Sequence, residues 1–360
     1  MSIETLKPFL AETYENFPKG RFIGLVVLRT TRSETIFRTE GTGEPMCREF
    51  VQAGINNDKK IIERLVMTKR KQVAPERRYG REFLRAYGLL YKNQKEETLC
   101  SLNTNAPCEM CIDCFLYGFA AGGGGAQKSR IWTEDAFSLL PAHDLIGDRT
   151  INAIFENGTM RDEEGKASTA LNTSEYIKPG VHFLDVVTLK DVTADEFRYV
   201  LGNILLTSRY GAVSSRVGRM ENQILGVFGG TAELPSSLEL VQTLHDSMTV
   251  TANNQPLEHP LNNDLLINEV GKVMDMWRSR RGISVKLSDD ELKAVIEDVD
   301  EHWSEAQREQ FLKRLDESYK DFRQAPDSEK ASANNGKKSK RKKNQEQDQE
   351  QEAVSEEVEE

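Results

Sequence analysis

The sequence predicts an α+β fold: a ferredoxin-like β-α-β-β-α-β sandwich that carries a large inserted region and is followed by a helical one. Three observations predict it. Residues 181–230 alternate strand, helix, basic loop and strand, with only a few residues between elements. Residues 20–37 supply a further buried strand near the start. From Leu234 to Arg323 the apolar residues switch to helical spacing. A chain of 360 residues can bury a large core and hold more than one substructure.

The elements divide the chain into a discontinuous core at 1–68 and 181–233, an inserted region at 69–180, a helical region at 234–325 and a charged tail at 326–360. In Gly20–Phe37, Ile23 to Leu28 is almost wholly apolar, and the strand ends among Arg29, Arg32 and Arg38. A glycine-bearing loop follows at Gly41–Pro45. Asp58–Val66 is expected as a short helix with Ile61, Ile62 and Leu65 on one face. Glu134–Ile154 mixes short apolar runs with turns, and Asn157–Gly180 is polar enough to expect a loop excursion. Val181–Leu189 is a strand. Thr193, with Glu196 three residues later, caps a helix that presents Phe197, Leu201, Ile204 and Leu205 and stops near Tyr210–Gly211. A Ser-Ser-Arg-Val-Gly-Arg loop then leads to a short strand at Ile224–Phe228.

Beyond Leu234 three helices are expected. Leu265–Arg281 places Leu266, Val270, Val273 and Trp277 together. Ser288–Val299 opens on a Ser-Asp-Asp-Glu cap and turns Leu292, Val295 and Ile296 inward. Gln307–Phe322 repeats the scheme with Phe311, Leu315 and Phe322. Residues 326–360 have almost no apolar side chains and hold a basic block (Lys337 to Lys343) and an acidic, glutamine-rich end, so they cannot bury enough surface to fold. That tail contributes −3 of the net charge of −10, which leaves the rest mildly acidic. The balance argues against nucleic acid, but the charges are segregated, and local fields matter more than the sum.

The densest basic cluster is Lys69, Arg70, Lys71, Arg77, Arg78, Arg81 and Arg85, with Tyr79 and Tyr87 interleaved. Only Glu76 and Glu82 balance these seven cations. A solvated helix face would mix the signs more evenly, so a phosphate-binding role is expected here.

Four of the five cysteines, Cys100, Cys108, Cys111 and Cys114, fall within fifteen residues. Paired cysteines two residues apart aim both sulfurs at one point, and zinc takes four such ligands. Cys108, Cys111 and Cys114 supply three, and Cys100 can loop back as the fourth. An iron–sulfur cluster is the competing metal, though the fourth cysteine expected after a C-x2-C-x2-C run is missing. Reduced, buried thiols without metal are the third reading. Disulfides rank last in a chain with no secretory signal.

Four glycines follow at Gly122–Gly125, with Gly123 and Gly124 at their centre, then Lys128 and Arg130. They read either as a flexible linker or as a stretch whose main chain can approach a polymer backbone closely. No Ser-His-Asp order, Walker loop, HExxH pair or dinucleotide fingerprint is legible. The five histidines are scattered and read as core or surface residues. No apolar run is long enough to span a bilayer, and MSIETLKPFLAETYENF is no targeting peptide, so a cytoplasmic protein without a membrane partner is expected.

Three segments carry a resemblance. KRKQVAPERRYGREFLR, the cysteine stretch with its GGGGAQKSRIW sequel, and TSRYGAVSSRVGRMENQILGVFGG together resemble the backbone subunit of the type I-D CRISPR effector complex, Cascade, in the repeat-associated mysterious protein superfamily. The resemblance spans roughly Phe22 to Arg323. It implies an RRM-like core with inserted subdomains, one of them zinc-bearing. It also implies several copies lined up as a helical filament along a CRISPR RNA, in contact with other Cascade subunits, which present the spacer for pairing with target DNA or RNA. Such a subunit grips phosphates and leaves base edges free. No aromatic pair here is arranged as the base-stacking platform of an RRM.

The candidate RNA-binding residues are Lys69, Arg70, Arg77, Arg78, Arg81, Gly123, Gly124, Lys128, Arg130, Arg209, Arg216 and Arg219. Of these, Lys69, Arg70, Arg77, Arg78, Lys128, Arg130, Arg216 and Arg219 are expected in loops or beside turns, converging on one face. Relatives in type III systems cut RNA with an aspartate in the loop after the first strand. Here that loop reads RTEGTGEPMC, with Glu40 and Glu44 instead, so no catalytic residue is assigned and a non-catalytic RNA-binding subunit is expected. The alternative is a metal-dependent ribonuclease. A zinc-dependent regulator of duplex DNA is a third class, but no helix-turn-helix signature is legible.

Overall fold

The computed structural model describes residues 3–15, 17–37, 46–93, 97–102, 107–121, 125–151, 154–155, 158–159, 172–211, 217–253, 255–281 and 283–324. The chain divides into two units, Met1–Asp316 and Glu317–Glu360. The loop at Gly41–Pro45, the residues Glu40 and Glu44, and the expected disordered tail at 326–360 lie outside the described residues.

A 3-10 turn at Glu4–Phe9 precedes β1 (Phe22–Thr31), β2 (Cys47–Gln52) and β3 (Ile61–Met67). Next come α1 (Lys69–Ala86), α2 (Ile112–Tyr117), β4 (Phe119–Ala121), β5 (Gly125–Gln127), β6 (Ile131–Thr133) and β7 (Ala136–Pro141). The turn α3 (Ala142–Leu145) leads to β8 (Ile146–Ile151), β9 (Ile154–Phe155), β10 (Gly158–Thr159) and β11 (Asn172–Ile177). Then β12 (His182–Lys190), α4 (Ala194–Leu206), β13 (Arg209–Tyr210) and β14 (Gly218–Gly230) follow. After these come α5 (Ser237–Thr251), α6 (Asn263–Arg281), β15 (Val285–Lys286), α7 (Asp289–Trp303) and α8 (Arg308–Glu317). In the second unit, α9 (Lys320–Gln324) is a short helix.

Among the described residues the main sheet runs β13-β14-β1-β12-β7-β3-β2, with β15 beside β14 and β6 beside β12. All its pairings are antiparallel. β1 sits between β12 and β14 and is buried from Ile23 to Thr31, because helices cover both faces. Val26, Leu28, Leu184, Val186 and Phe228 pack with Leu240, Leu244, Val270 and Trp277 of α5 and α6. On the opposite face Arg29 reaches Glu76 of α1, and Asn222 donates to the Ile204 carbonyl of α4. A strand buried on both faces reads as a continuous apolar run, not as an alternation.

Thr193 caps α4 as its sequence predicts, with the reciprocal Glu196 contact in place, and Ser288 does the same for α7 through Glu291. Leu266, Val270, Val273 and Trp277 of α6 are buried together. Four expectations need correction. Residues 61–67 form β3 instead of ending a helix: Ile61, Ile62 and Leu65 fit either period, but the β-branched pair and the partners β2 and β7 decide for a strand. The α4 helix stops at Leu206, because Arg209–Tyr210 pair with the start of β14. Within the polar excursion, residues 172–177 are a strand paired with β8. The last expected helix, Gln307–Phe322, is split between α8 and α9.

The expected inserted region, 69–180, contributes directly to the sheet. β7 lies between β12 and β3, and Arg64 closes the register shift between β3 and β7. Its buried guanidinium donates to the carbonyls of Ser138, Leu139 and Ala53 at 2.7, 2.8 and 2.8 Å. Burial lowers its pKa to about 10, with Asp58 acting against that shift, so it stays charged at neutral pH and is solvated by main-chain dipoles.

Candidate nucleic-acid interface and metal centre

The cysteine stretch folds on itself as its spacing predicts. Cys111 precedes α2 and Cys114 lies within it, while Cys100 and Cys108 approach from the preceding loops. All four are buried, and their sulfurs lie within 4.8 Å of one another. The sulfur of Cys114 is 3.8 Å from that of Cys100 and 3.9 Å from that of Cys108, and Cys111 is 3.9 Å from Cys100. Sulfurs about 2.3 Å from a central ion in a tetrahedron lie roughly 3.8 Å apart. The Cys111 amide donates to the Cys108 sulfur at 3.3 Å, which stabilises thiolate character. Hydrogen bonds from the neighbouring thiols hold Cys100 far below the ordinary thiol range, and the same contacts push Cys111 and Cys114 above it. Four sulfurs at this spacing match the ligand set of a single cation. The cluster could hold one metal ion, and it is too tight for a polynuclear centre.

Beside the knot opens a cavity of about 1040 Å³. One wall is the basic face of α1: Lys69, Arg70, Lys71, Arg77, Arg78 and Arg81. The other is the knot, including Cys100, Cys114 and Asp113, with Gly118–Ala120 of the β4 approach and Gly211 after β13 at its borders. The first turn of α1 holds three cations and no acid. Helix N-termini favour negative charge, so this placement costs helix stability while concentrating positive potential at the cavity. The first turn borrows its acceptor from outside, since the Lys69 amide donates to Asp135 at 2.7 Å.

The basic cluster is therefore helical, where loops and turns were expected, because residues 69–86 have another face to bury. Tyr79 and Phe83 pack on Trp303 of α7, with ring centroids 6.0 Å away in each case. The opposite face, with Lys69, Arg70 and Arg78 exposed, is left to the cavity.

Not every predicted cation is available there. Arg77 Nε and Nη2 donate to Asp113 at 3.0 and 2.7 Å. Arg81 Nη1 donates to the same carboxylate at 2.7 Å, and its Nη2 to the Cys100 carbonyl at 2.6 Å. Burial works against both charges, and Asp113 outweighs it, leaving both arginines raised. Arg130 lies against Glu196, with Nη1 to Oε2 at 2.8 Å, and its guanidinium stacks 4.7 Å from the Tyr14 ring centre. Arg77, Arg81 and Arg130 thus hold the structure together, although Arg77 and Arg81 also line the cavity. Lys128 is exposed just past β5. Arg209 and Arg219 are exposed and face each other across β13 and β14, two residues before Gly211 in the case of Arg209. Gly123, Gly124 and Arg216 lie outside the described residues.

Sequence reasoning missed Asp113, fully buried between two cysteines of the knot. Its signal was present: an acid enclosed between two cysteines in CIDC. The Csc2 Crispr family model matches residues 9–313. The chain belongs to the Csc2 CRISPR family. The resemblance carried by the three motif segments therefore holds at the level of a CRISPR family. The crystal structure of Thermofilum pendens Csc2 is similar over 90% of this chain and 98% of that one, at 19% identity and a TM-score of 0.54, a likeness of fold. A chain of a structure described as a CRISPR RNA-guided surveillance complex, pre-nicking, is similar over 72% of this chain and 89% of that one, at 9% identity and a TM-score of 0.44. No curated protein matches. No helix among the described residues is long and apolar enough to cross a membrane.

Proposed function

We propose that this Csc2-family chain is the backbone subunit of a type I-D Cascade complex: a non-catalytic protein that binds CRISPR RNA and presents it for pairing with target DNA or RNA. Copies polymerise along the spacer as a helical filament in the cytoplasm, in contact with other Cascade subunits. The observation that carries this reading is the cavity of about 1040 Å³ walled by the cationic first turn and exposed arginines of α1. Flexible cations at a helix N-terminus suit phosphates. Arg209 and Arg219, at the strand pair leading to Gly211, extend the path, and Arg216, Gly123 and Gly124 are proposed to join it. An RRM-like core is supported by the order β14-β1-β12-β7, with α1 between β1 and β7 and α4 between β12 and β14 in the chain.

The metal of the cysteine cluster is zinc in this reading, held by Cys100, Cys108, Cys111 and Cys114 in a structural role. A closed set of four sulfurs leaves no open position for a substrate or water, which supports a structural ion over a hydrolytic one. Purification from cells carrying the CRISPR locus should yield short, uncut RNAs of uniform length. Bound RNA of random length, or divalent-metal-dependent RNA cleavage by the purified protein, would reject the scaffold; the second result would establish the ribonuclease alternative.

A further inference from the structure

We infer that Asp113 couples the four-cysteine site to the basic groove, so that loading of the metal site sets the groove's affinity for a phosphodiester chain. The inference rests on the proposed RNA-binding role and adds a means of control to it.

Asp113 stands between two ligand-type cysteines, Cys111 and Cys114, at the start of α2. It is fully buried, and its two oxygens accept three hydrogen bonds from α1: two from Arg77 and one from Arg81. Arg81 spends its remaining arm on the Cys100 carbonyl, so a second cysteine segment is tied to the same helix. The Arg77 guanidinium also lies 4.9 Å from the ring centre of Tyr117, at the end of α2. The first and last turns of this short helix are thus fastened to the basic face of α1. Cys100, Asp113, Cys114 and Tyr117 line the same cavity as Lys69, Arg70 and Arg78. The wall opposite the cations is the knot itself.

A segment of this size closed by four sulfurs depends on its ion for order. Without the ion the four sulfurs lose their common centre, and with it α2 loses the constraint that holds Asp113 against α1. The groove then keeps its cations and loses its second wall and the geometry of Arg77. Asp113 is a positioning residue here. It touches Arg77 and Arg81, which brace the wall, and that wall together with the exposed Lys69 and Arg78 meets the RNA.

The sign of one substitution separates positioning from simple charge. Asp113→Asn removes a negative charge from a cationic groove, so electrostatics alone predicts tighter RNA binding. Positioning predicts weaker binding, since the amide's NH2 would face a guanidinium N–H where the carboxylate has its second accepting oxygen, and the charge that strengthens all three hydrogen bonds is gone.

The experiment uses the full chain, zinc as the metal and a single-stranded RNA of arbitrary sequence. Four quantities are measured: zinc content, RNA affinity, far-ultraviolet circular dichroism and thermal unfolding. Chelation of the wild-type protein should weaken RNA binding about tenfold, with most secondary structure retained, and zinc added back should restore it. Asp113→Asn should keep zinc and bind RNA several-fold more weakly. Unchanged RNA affinity after chelation, tighter binding by Asp113→Asn, or collapse of the whole fold on chelation would each overturn the coupling. If the variant fails to fold, the chelation arm decides alone. Zinc-loaded wild-type protein that binds no RNA would instead overturn the functional reading on which the coupling rests.

Discussion

Arg29 and Asp185 are both fully buried, and Arg29 Nε and Nη2 donate to the same Asp185 oxygen at 3.1 and 2.9 Å. They belong to adjacent strands, β1 and β12. Nη1 of Arg29 also donates to Glu76 of α1 at 2.7 Å, and it lies 3.2 Å from both Tyr210 and Asn222. One guanidinium therefore ties the centre of the sheet to the helix that carries the basic face. Arg29→Met should destabilise the fold by about 3–5 kcal/mol, because two carboxylates are left buried without a cation. Adding Asp185→Leu to that variant should recover part of the loss. Equilibrium denaturation measures both, and an Arg29→Met loss below about 1 kcal/mol would contradict the assignment.

Acid sensitivity follows from His182. Burial lowers its pKa to about 4, and Arg32 and His259 act in the same direction. Its Nδ1 lies 2.9 Å from the Thr30 hydroxyl. Between the unfolded value of 6.5 and the folded value of about 4, the unfolded chain binds the extra proton, so this contribution to stability falls as pH falls through that window. The loss from pH 7 to pH 5 should be about 2 kcal/mol. Asp185 acts oppositely: burial raises its pKa to about 6, despite Arg29, so its contribution rises as pH falls from that value toward the unfolded 3.8. Comparing wild type with His182→Gln at both pH values isolates the histidine. An equal pH dependence in the two proteins would remove His182 from the account.

How much was legible in the sequence depended on the range of the interaction. The capping boxes at Thr193 and Ser288 are four-residue patterns, and the cysteine knot closes within fifteen residues, so both were readable. The strand at 61–67 was not. Ile61, Ile62 and Leu65 suit a helix face as well as a strand, and the deciding partners are β2 and β7. The same holds for the cations. Arg77 and Arg81 read as phosphate ligands because their acceptor, Asp113, lies more than thirty residues away. Arg64, buried among carbonyls, shows the converse: a charged residue in a strand does not mark an exposed face.

Two glycines in helices should respond with opposite signs. At Gly202 of α4 an added Cβ would lie 1.9 Å from the Trp303 indole nitrogen, which donates to the Arg198 carbonyl. Gly202→Ala should therefore lower stability by about 1–3 kcal/mol through overpacking. At Gly271 of α6 nothing lies within 4 Å of the added atom. Gly271→Ala should raise stability by about 0.5–1 kcal/mol through helix propensity alone. Thermal unfolding of the two variants checks both signs, and a stabilising Gly202→Ala would mean that α4 and α7 pack less closely than described.

The cations divide into those paired within the protein and those exposed on the cavity wall, and two kinds of measurement should sort them. Arg130 partners Glu196, which is fully buried and also caps α4 through the Thr193 amide. Arg130→Ala removes the cation that faces that buried carboxylate, so it should cost about 3–5 kcal/mol of stability. Its effect on the salt dependence of RNA binding should be small, because the guanidinium is already neutralised. Arg78 is exposed on the cavity wall, and surface substitutions of this kind change stability by no more than about 0.5 kcal/mol. Arg78→Ala should instead lower the slope of log affinity against log salt by about 0.7, one counterion released from single-stranded RNA. Lys69→Ala should do the same, and the double variant should lose about 1.4 if each cation meets its own phosphate. The losses should be equal for two unrelated RNA sequences, since phosphates carry no sequence information. A salt slope unchanged in the Lys69→Ala, Arg78→Ala double variant would place the RNA elsewhere on the protein. A slope reduced by Arg130→Ala at unchanged stability would show that its pairing with Glu196 yields to the nucleic acid.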